Sequence, residues 1–557
     1  MSSLMNNYRR SSLSFSSGTG VMLRGTDGKR YLDFLSGIAV NPLGHRHPTI
    51  LRALRRAMEH PLHVSNLYQI PEQQELARRL SKLSGGRYRA FFANSGAEAT
   101  EAALKLARKA TKRTRFLCFT HAFHGRTFGA LSMTPKEEIQ KPFAPLLFDR
   151  GVLEYNSFED LKKIDRRVAA VIVECIQGEG GLLQADLAWL RELRKITKKM
   201  GVMLIVDEVQ TGIGRTGTFF CFQQYGIQPD MITVAKGLGG GVPIGALLAT
   251  EKVAEHFTPG SHGSTFGGNP LVCRVALAVI NVIGRKSFIR KVGLRGNQLR
   301  EGLKKIMAEF PGVISGIRGR GLMLGVEFSS AELAKAVFKS LQQEHHILAN
   351  VTADTVLRLL PPLIVRKEHI RNFLTALHQS VSDCSRGMPT GVALRIRWAA
   401  GDDLDQICAL HKANSSPRYM TEEGTPYLRP LSRSTLRRLV PRTLLLTEAD
   451  ELIGKIHYEP AAGFRRCVLA GGLAVASRIQ RAGHAMRLVE GLQNALAEEG
   501  YQYVIAVSAA PHVESLLEDC DWKDGSRKFS KVLRKARERY VPEERRKARL
   551  FMKLLES

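Results

Sequence analysis

Lys236 stands in Thr233-Val-Ala-Lys-Gly-Leu-Gly-Gly-Gly-Val-Pro-Ile-Gly245, and upstream of it the apolar run Val202–Val206 ends in Asp207-Glu-Val-Gln-Thr-Gly212. A lysine amine can form a Schiff base, and an ionised carboxylate can keep a pyridine nitrogen protonated. Glycines between them let a flat ring approach the backbone. Together these describe pyridoxal-phosphate chemistry, in which the cofactor acts as an electron sink and the protein orients it and tunes its charge. Asp207 directly follows a run long enough for a strand buried on both faces, so its carboxylate emerges at the carboxyl end, where open α/β sheets bind ligands. Burial beside positive charge would lower the pKa of Lys236 and free its amine. Taken singly, Asp207 could instead be a turn former and Lys236 an exposed loop lysine.

Phosphate needs backbone N–H donors free of competing side chains. Asn94-Ser-Gly-Ala-Glu-Ala-Thr-Glu-Ala-Ala-Leu-Lys105 supplies a polar cap at Ser95, then Gly96 and Ala97, then a strongly helix-forming run, which makes an anion site at a helix N-terminus. It could also be an ordinary helix start. Phe123-His-Gly-Arg126 offers an aromatic face and a guanidinium suited to bidentate carboxylate recognition, and Arg358 is a second carboxylate clamp. Glu179, in Gln177-Gly-Glu-Gly-Gly181, could neutralise such an arginine when no substrate carboxylate is present. The alternatives are surface ion pairs for the arginines and a plain turn for Glu179.

The elements that must position these residues are legible as alternation. Ala169–Glu174, a helix near Leu187–Met200, then Val202–Val206 and Met231–Ala235 read as βαβ units, implying an α/β protein with a mostly parallel sheet and helices on both faces. At 557 residues the chain should hold more than one domain. Residues 1–385 form the first stretch, 386–391 a small, polar, Gly- and Pro-broken linker, and 392–526 a second alternation, followed by a basic tail at 527–557 read as an amphipathic helix.

With 44% apolar and 24% charged residues the composition is that of a soluble globular protein. No apolar run is long enough for a membrane span, and the Ser-rich start lacks the apolar core of a secretory signal. Eight scattered cysteines without a CxxC pair read as free thiols in a reducing cytoplasm, with no metal site expected. The formal charge of +30 is uneven: residues 1–390 carry 54 basic and 31 acidic side chains, residues 391–526 carry 16 and 17, and the tail carries 12 and 4. The first excess suits dicarboxylates and phosphates and accompanies no nucleic-acid motif, so a nucleic-acid partner is not expected.

Over roughly residues 8–380 these motifs, in this order, resemble the class III, fold-type-I pyridoxal-phosphate aminotransferases. Leu43-Gly-His-Arg-His-Pro48, Asp207-Glu-Val-Gln-Thr-Gly212, Gly214-Arg-Thr-Gly217, Gly263-Ser-Thr-Phe-Gly-Gly-Asn-Pro270 and Arg318-Gly-Arg-Gly-Leu322 add to those already quoted. The 235–246 motif and the Leu-Leu-Pro-Pro-Leu run are most similar to acetylornithine aminotransferases. The resemblance implies a large cofactor-binding domain over about 46–274, and a small α/β domain from about 1–45 and 275–385. It also implies roles. Lys236 would attach the cofactor and carry the proton, Asp207 would pair with the pyridine nitrogen, and Gln210 would contact the ring hydroxyl. Phe123 and Val209 would cover the two ring faces. Ser95, Gly96 and Ala97 would hold the phosphate, with Ser264 and Thr265 arriving from a second subunit of a homodimer that shares its active sites. Arg126 would bind the α-carboxylate of acetylornithine and the distal carboxylate of glutamate, and Arg358 the α-carboxylate of glutamate once Glu179 swings aside. Ornithine, 4-aminobutyrate and succinyl-diaminopimelate enzymes share most of these motifs and stay open as alternatives.

The second alternation carries Val468–Val475, then Gln480-Arg-Ala-Gly-His-Ala485, then a helical run. A strand, Gln-x-x-Gly-x-Ala and a helix make a pyrophosphate cradle of N–H groups at a helix N-terminus. This resembles the GNAT acetyltransferases, and implies acetyl-CoA bound by Gln480, Arg481, Gly483 and Ala485, with N-acetylglutamate as a product. The chain departs from that pattern at Leu517, where a tyrosine acid is common, and at Gly471-Gly472, where no acidic base stands. The alternative is a non-catalytic, acyl-CoA-sensing module.

Overall fold

The computed structural model describes residues 3–146 and 149–385, and in the remainder the backbone of seven strands between residues 395 and 554. The chain divides into two compact units, Met1–Ser385 and Arg386–Ser557.

The first unit is built on seven strands: β1 (Tyr88–Ala93), β2 (Arg115–Phe119), β3 (Arg150–Leu153), β4 (Val168–Val173), β5 (Met203–Asp207), β6 (Met231–Val234) and β7 (Gly245–Thr250), in the order β1-β7-β6-β5-β4-β2-β3. Only β7 runs against its neighbours β6 and β1; the other pairs are parallel. Every residue of β4 and β6 is buried, as a sheet covered on both faces requires. Side chains alternate between two cores: Ile205 and Met231 join the cluster under helix α1 (Gly96–Thr111), while Leu204, Val206, Ile232 and Val234 join the cluster that contains Trp189, Leu190 and Leu193 of helix α2 (Leu187–Met200). Helix α2 starts where Asp186 Oδ1 accepts the Trp189 N–H at 2.8 Å and stops at Gly201 in the left-handed region, φ 63°.

Strand ends differ by one residue from the sequence expectation. β5 starts at Met203 and includes Asp207, because Asp207 pairs in register with Thr233 of β6. That register decides function: the carboxyl ends of β5 and β6 lie level, so Asp207 and Lys236, just past β6, arrive at one sheet edge.

A four-stranded antiparallel sheet, in the order Ile314–Arg320, Met323–Phe328, Val356–Leu359, Asn350–Thr352, carries Arg358 on its third strand. The chain start, Phe15–Thr19, Met22–Gly25 and Arg30–Asp33, forms another sheet closed by Ile347–Leu348 running parallel to Arg30–Asp33. Helix α3 (Lys367–Ser385) ends the unit.

The second unit has a seven-stranded sheet in the order Arg395–Trp398, Thr443–Glu448, Glu451–Pro460, Cys467–Val475, Tyr503–Ser508, Arg549–Leu554, Lys523–Asp524. Among its described strands the single parallel pair is Cys467–Val475 with Tyr503–Ser508. The hairpin expected near Thr443–Gly454 is present as the first antiparallel pair after Arg395–Trp398. The linker 386–391 and the cradle residues Gln480, Arg481, Gly483 and Ala485 lie outside the described residues. One expectation is corrected. Arg549–Leu554, within the tail read as a basic helix, is a strand paired antiparallel to Tyr503–Ser508. Local helical composition yielded there to backbone partners offered by a sheet. Among the described residues no helix is long and apolar enough to cross a membrane.

Candidate active site

At the carboxyl edge of β5 the Asp207 carboxylate is almost wholly buried and fixed from three sides. His124 Nδ1 lies 2.7 Å from Oδ2, and the Thr233 hydroxyl and the Val209 N–H donate to Oδ1 at 3.0 Å each. A carboxylate so held presents its charge in one direction only. Nearby Glu174, also buried, accepts the Phe123 N–H at 3.0 Å and the Gly178 N–H at 3.2 Å. Burial raises the Glu174 carboxyl to about 7, against the attraction of His124.

Lys236 begins the turn after β6 with φ 40°, a left-handed conformation that costs a non-glycine residue about 1–3 kcal/mol and is typical of functional sites. Burial lowers its pKa. Glu179 opposes that shift and Arg358 reinforces it, so the neutral amine is favoured relative to a free lysine.

These groups open into a cavity of about 440 Å³ whose lining includes Ser95, Gly96, Ala97, Phe123, Arg126, Glu179, Val209 and Gln210 with Asp207 and Lys236. The Ser95 hydroxyl caps α1 by accepting the Glu98 N–H at 3.2 Å. Among the described residues the N–H groups of Gly96 and Ala97 have no acceptor, as the first turn of a helix dictates. A Cβ at Gly96 would meet Val209 Cγ1 at 2.9 Å, and one at Gly125 would meet Ala97 Cβ at 2.8 Å. Glycine at both places keeps the cradle open. An anion-binding turn, a fixed carboxylate, a half-buried aromatic ring and a buried amine in one cavity fit pyridoxal phosphate in size and in donor set.

Two arginines differ in state. Arg358 is fully buried, donating to the Gly178 carbonyl at 2.7 Å, to Asn350 Oδ1 at 3.1 Å and to Glu179 Oε1 at 2.5 Å. Burial opposes ionisation of Glu179, but the Arg358 charge and hydrogen bond, with Lys236 and Lys136, outweigh it and hold that carboxyl below its ordinary value. Gln210 Oε1 stands 3.4 Å from the same guanidinium. Arg126 is exposed at the cavity, its guanidinium 5.7 Å from the Phe123 ring centroid, and forms no ion pair with any described residue. Ser264 and Thr265 do not line the cavity of their own chain. Ser264 Oγ accepts from Asn94 Nδ2 at 3.2 Å, and Thr265 is exposed.

Sequence reasoning assigned no role to His124, Glu174 or Glu208. Glu208 is buried, accepting the Phe222 N–H at 2.8 Å and the Thr211 hydroxyl at 2.6 Å, and burial raises it to about 7. One signal was available: Glu174, like Asp207, is an acid at the end of a continuous apolar run.

A model of the family "Aminotransferase class-III" matches residues 4–381. The chain is 47% identical over 386 residues to an acetylornithine aminotransferase of Aquifex aeolicus, spanning 68% of this chain and 100% of that protein. It is 45% identical over 368 residues to one of Archaeoglobus fulgidus, spanning 66% and 95%. Among solved structures, an ornithine aminotransferase from Toxoplasma gondii matches with a TM-score of 0.66 at 32% identity, covering 68% of this chain and 93% of that one. An N-acetylornithine aminotransferase from Stenotrophomonas maltophilia matches at 0.59 and 32%, covering 68% and 97%. The first unit therefore has the fold-type-I α/β architecture, and the chain belongs to the class III aminotransferase family as a pyridoxal-phosphate-dependent aminotransferase.

Proposed function

We propose that the first unit transfers the terminal amine of N2-acetylornithine to 2-oxoglutarate, giving N-acetylglutamate 5-semialdehyde and glutamate, as a step of arginine biosynthesis. The observation that carries this reading is the contrast between the arginines: Arg126 without an ion pair among the described residues, Arg358 buried and neutralised by Glu179. Such a site accepts a substrate with one carboxylate while the pair is closed, and a dicarboxylate when Glu179 moves away. The names of the relatives in Aquifex aeolicus and Archaeoglobus fulgidus support the same donor. Ornithine is a second reading, supported by the likeness to the Toxoplasma gondii enzyme.

Bound pyridoxal phosphate supplies an electron sink for the carbon that bears the migrating amine. Ser95, Gly96 and Ala97 would hold its phosphate, Asp207 its pyridine N–H, Gln210 its ring hydroxyl, and Phe123 and Val209 would flank the ring. Lys236 Nζ would attach the cofactor and, once displaced by the incoming substrate amine, would carry the proton from the substrate carbon to the cofactor in the first half-reaction and in the opposite sense in the second. Arg126 orients the substrate by its α-carboxylate. We infer a homodimer in which Ser264 and Thr265 complete the partner's site. Exposed Met58, Leu67, Tyr68 and Phe266 support this, since Asn66 Nδ2 ties that segment to the Ser264 carbonyl at 2.9 Å. A cytoplasmic location accords with the five described cysteines being free.

For the second unit we propose a GNAT-like domain that binds acetyl-CoA through Gln480, Arg481, Gly483 and Ala485 and makes N-acetylglutamate. The parallel pair among its described strands supports this reading, with the cradle sequence lying between the two members of that pair in the chain. So does a register irregularity where Lys455 and His457 face Ala474 and Gly471 of the strand before the cradle.

Comparing kcat/KM of the full-length enzyme for acetylornithine, ornithine and 4-aminobutyrate tests the donor: acetylornithine should lead by about tenfold or more, and a lead for either competitor contradicts it. Thiol release from acetyl-CoA with glutamate tests the second unit. Binding without release favours a sensing module, and absence of binding contradicts both readings.

A further inference from the structure

A second cavity, of about 550 Å³, shares no lining residue with the catalytic one. It lies between α3 and the sheet edge formed by Arg30–Asp33 and Ile347–Leu348, and Arg30, His345, His346, His369 and Arg371 line it. Among the described residues no aspartate or glutamate lines it. We propose that this cleft binds a small anion carrying two or more carboxylate or phosphate groups.

Three observations carry the assignment. First, the side chains of Arg30 and Arg371 form no ion pair or hydrogen bond with any described residue, although ion pairs are frequent elsewhere in the unit. Of the acids nearby in sequence, Glu344 accepts the Ser340 hydroxyl at 2.8 Å and Glu368 faces Arg366 at 3.7 Å, while Asp383 accepts from the cleft residue Gln379 at 2.7 Å, so none of them bonds to either arginine. Second, Arg30 stands directly opposite Arg24 in the antiparallel register, an unfavourable like-charge pair that a bound anion would relieve. Third, neither His345 nor His346 spends its ring on a protein hydrogen bond among the described residues; His345 Nε2 and His346 Nδ1 are both buried without a partner. His346 also holds φ 53°, a left-handed conformation uncommon outside glycine, with its ring 5.3 Å from that of Tyr31.

Two planar guanidinium forks with imidazoles between them match multivalent carboxylate or phosphate. Among the described residues no group of three His, Cys, Asp or Glu side chains could hold a metal, so the histidines do not form a cation site.

Titration calorimetry on the coenzyme-loaded, full-length protein tests the cleft, with citrate in one arm and pyrophosphate in the other. At least one of the two should bind one equivalent per chain, and that binding should persist in Arg126→Gln, which alters only the catalytic cavity. It should weaken by about tenfold or more in Arg30→Gln/Arg371→Gln and equally in Thr375→Trp, which fills the cleft without changing its charge. Aminotransferase turnover in these cleft variants reports that they are folded. Stronger binding of citrate assigns carboxylates, and stronger binding of pyrophosphate assigns phosphates. The inference is overturned if neither anion binds below about 10 mM, or if binding is kept in both cleft variants, whether or not it survives Arg126→Gln.

Discussion

Glu179→Ala should turn the enzyme toward dicarboxylates. Among the described residues Glu179 is the sole carboxylate bonded to Arg358, at 2.5 Å, and Arg358 is itself fully buried. A hydrogen bond to a charged group is worth about 1.5–3 kcal/mol. The Glu179 side chain is 35% exposed, so solvent screening draws the figure to the lower end, about 1.5 kcal/mol or tenfold. Without Glu179, Arg358 keeps the Gly178 carbonyl and Asn350 but has no counter-charge. 2-Oxoglutarate should then bind about tenfold more tightly, because its carboxylate no longer competes with Glu179. The half-reaction with acetylornithine should slow by a similar factor, since an unneutralised cation faces the chain that carries the amine. The ratio of the two half-reactions therefore shifts by about two orders of magnitude. Single-turnover measurements of each half, followed by coenzyme absorbance, read that ratio. A shift below about threefold, or equal losses in both halves, would refute the switching role.

Gly96→Ala places a Cβ 2.9 Å from Val209 Cγ1 at the floor of the phosphate cradle, so coenzyme should dissociate about tenfold more readily; an unchanged dissociation constant counts against that cradle. Glu208→Gln tests a buried acid. Its folded pKa, about 7, lies above the ordinary 4.5, so the folded state holds the extra proton between those values and the wild type loses stability as pH rises through that window, by at most about 3 kcal/mol. Thermal midpoints of the coenzyme-free proteins should show the variant gaining on the wild type from pH 5 to 7; a pH-independent difference would contradict the burial argument.

Much of the scaffold was legible in the sequence because parallel strands covered on both faces leave unbroken apolar runs. Val168–Val173 and Met203–Asp207 could be found that way, and the residue ending the second run, Asp207, was singled out with it. Lys236 was legible from its glycine-rich surroundings, though its left-handed backbone was not. His124 and Glu174 acquire their parts only through tertiary packing, which brings the imidazole 83 residues along the chain to Asp207 and sets the Glu174 carboxylate between the loops of Phe123 and Gly178. No local periodicity encodes such contacts. The strand at Arg549–Leu554 was misjudged for the same reason, since its register partners in Lys523–Asp524 and Tyr503–Ser508 lie 27 or more residues away in sequence. The unpaired arginines of the second cavity were invisible too, because pairing is a property of the folded neighbourhood rather than of composition.

The central claim is that Lys236 is the amine that attaches the coenzyme, across the cavity from the carboxylate of Asp207. Full-length protein saturated with pyridoxal phosphate, reduced with borohydride and mapped by peptide mass should carry one coenzyme adduct, at Lys236, and Lys236→Ala should carry none and have no turnover. An adduct on a different lysine, or steady transamination by Lys236→Ala, would contradict the assignment.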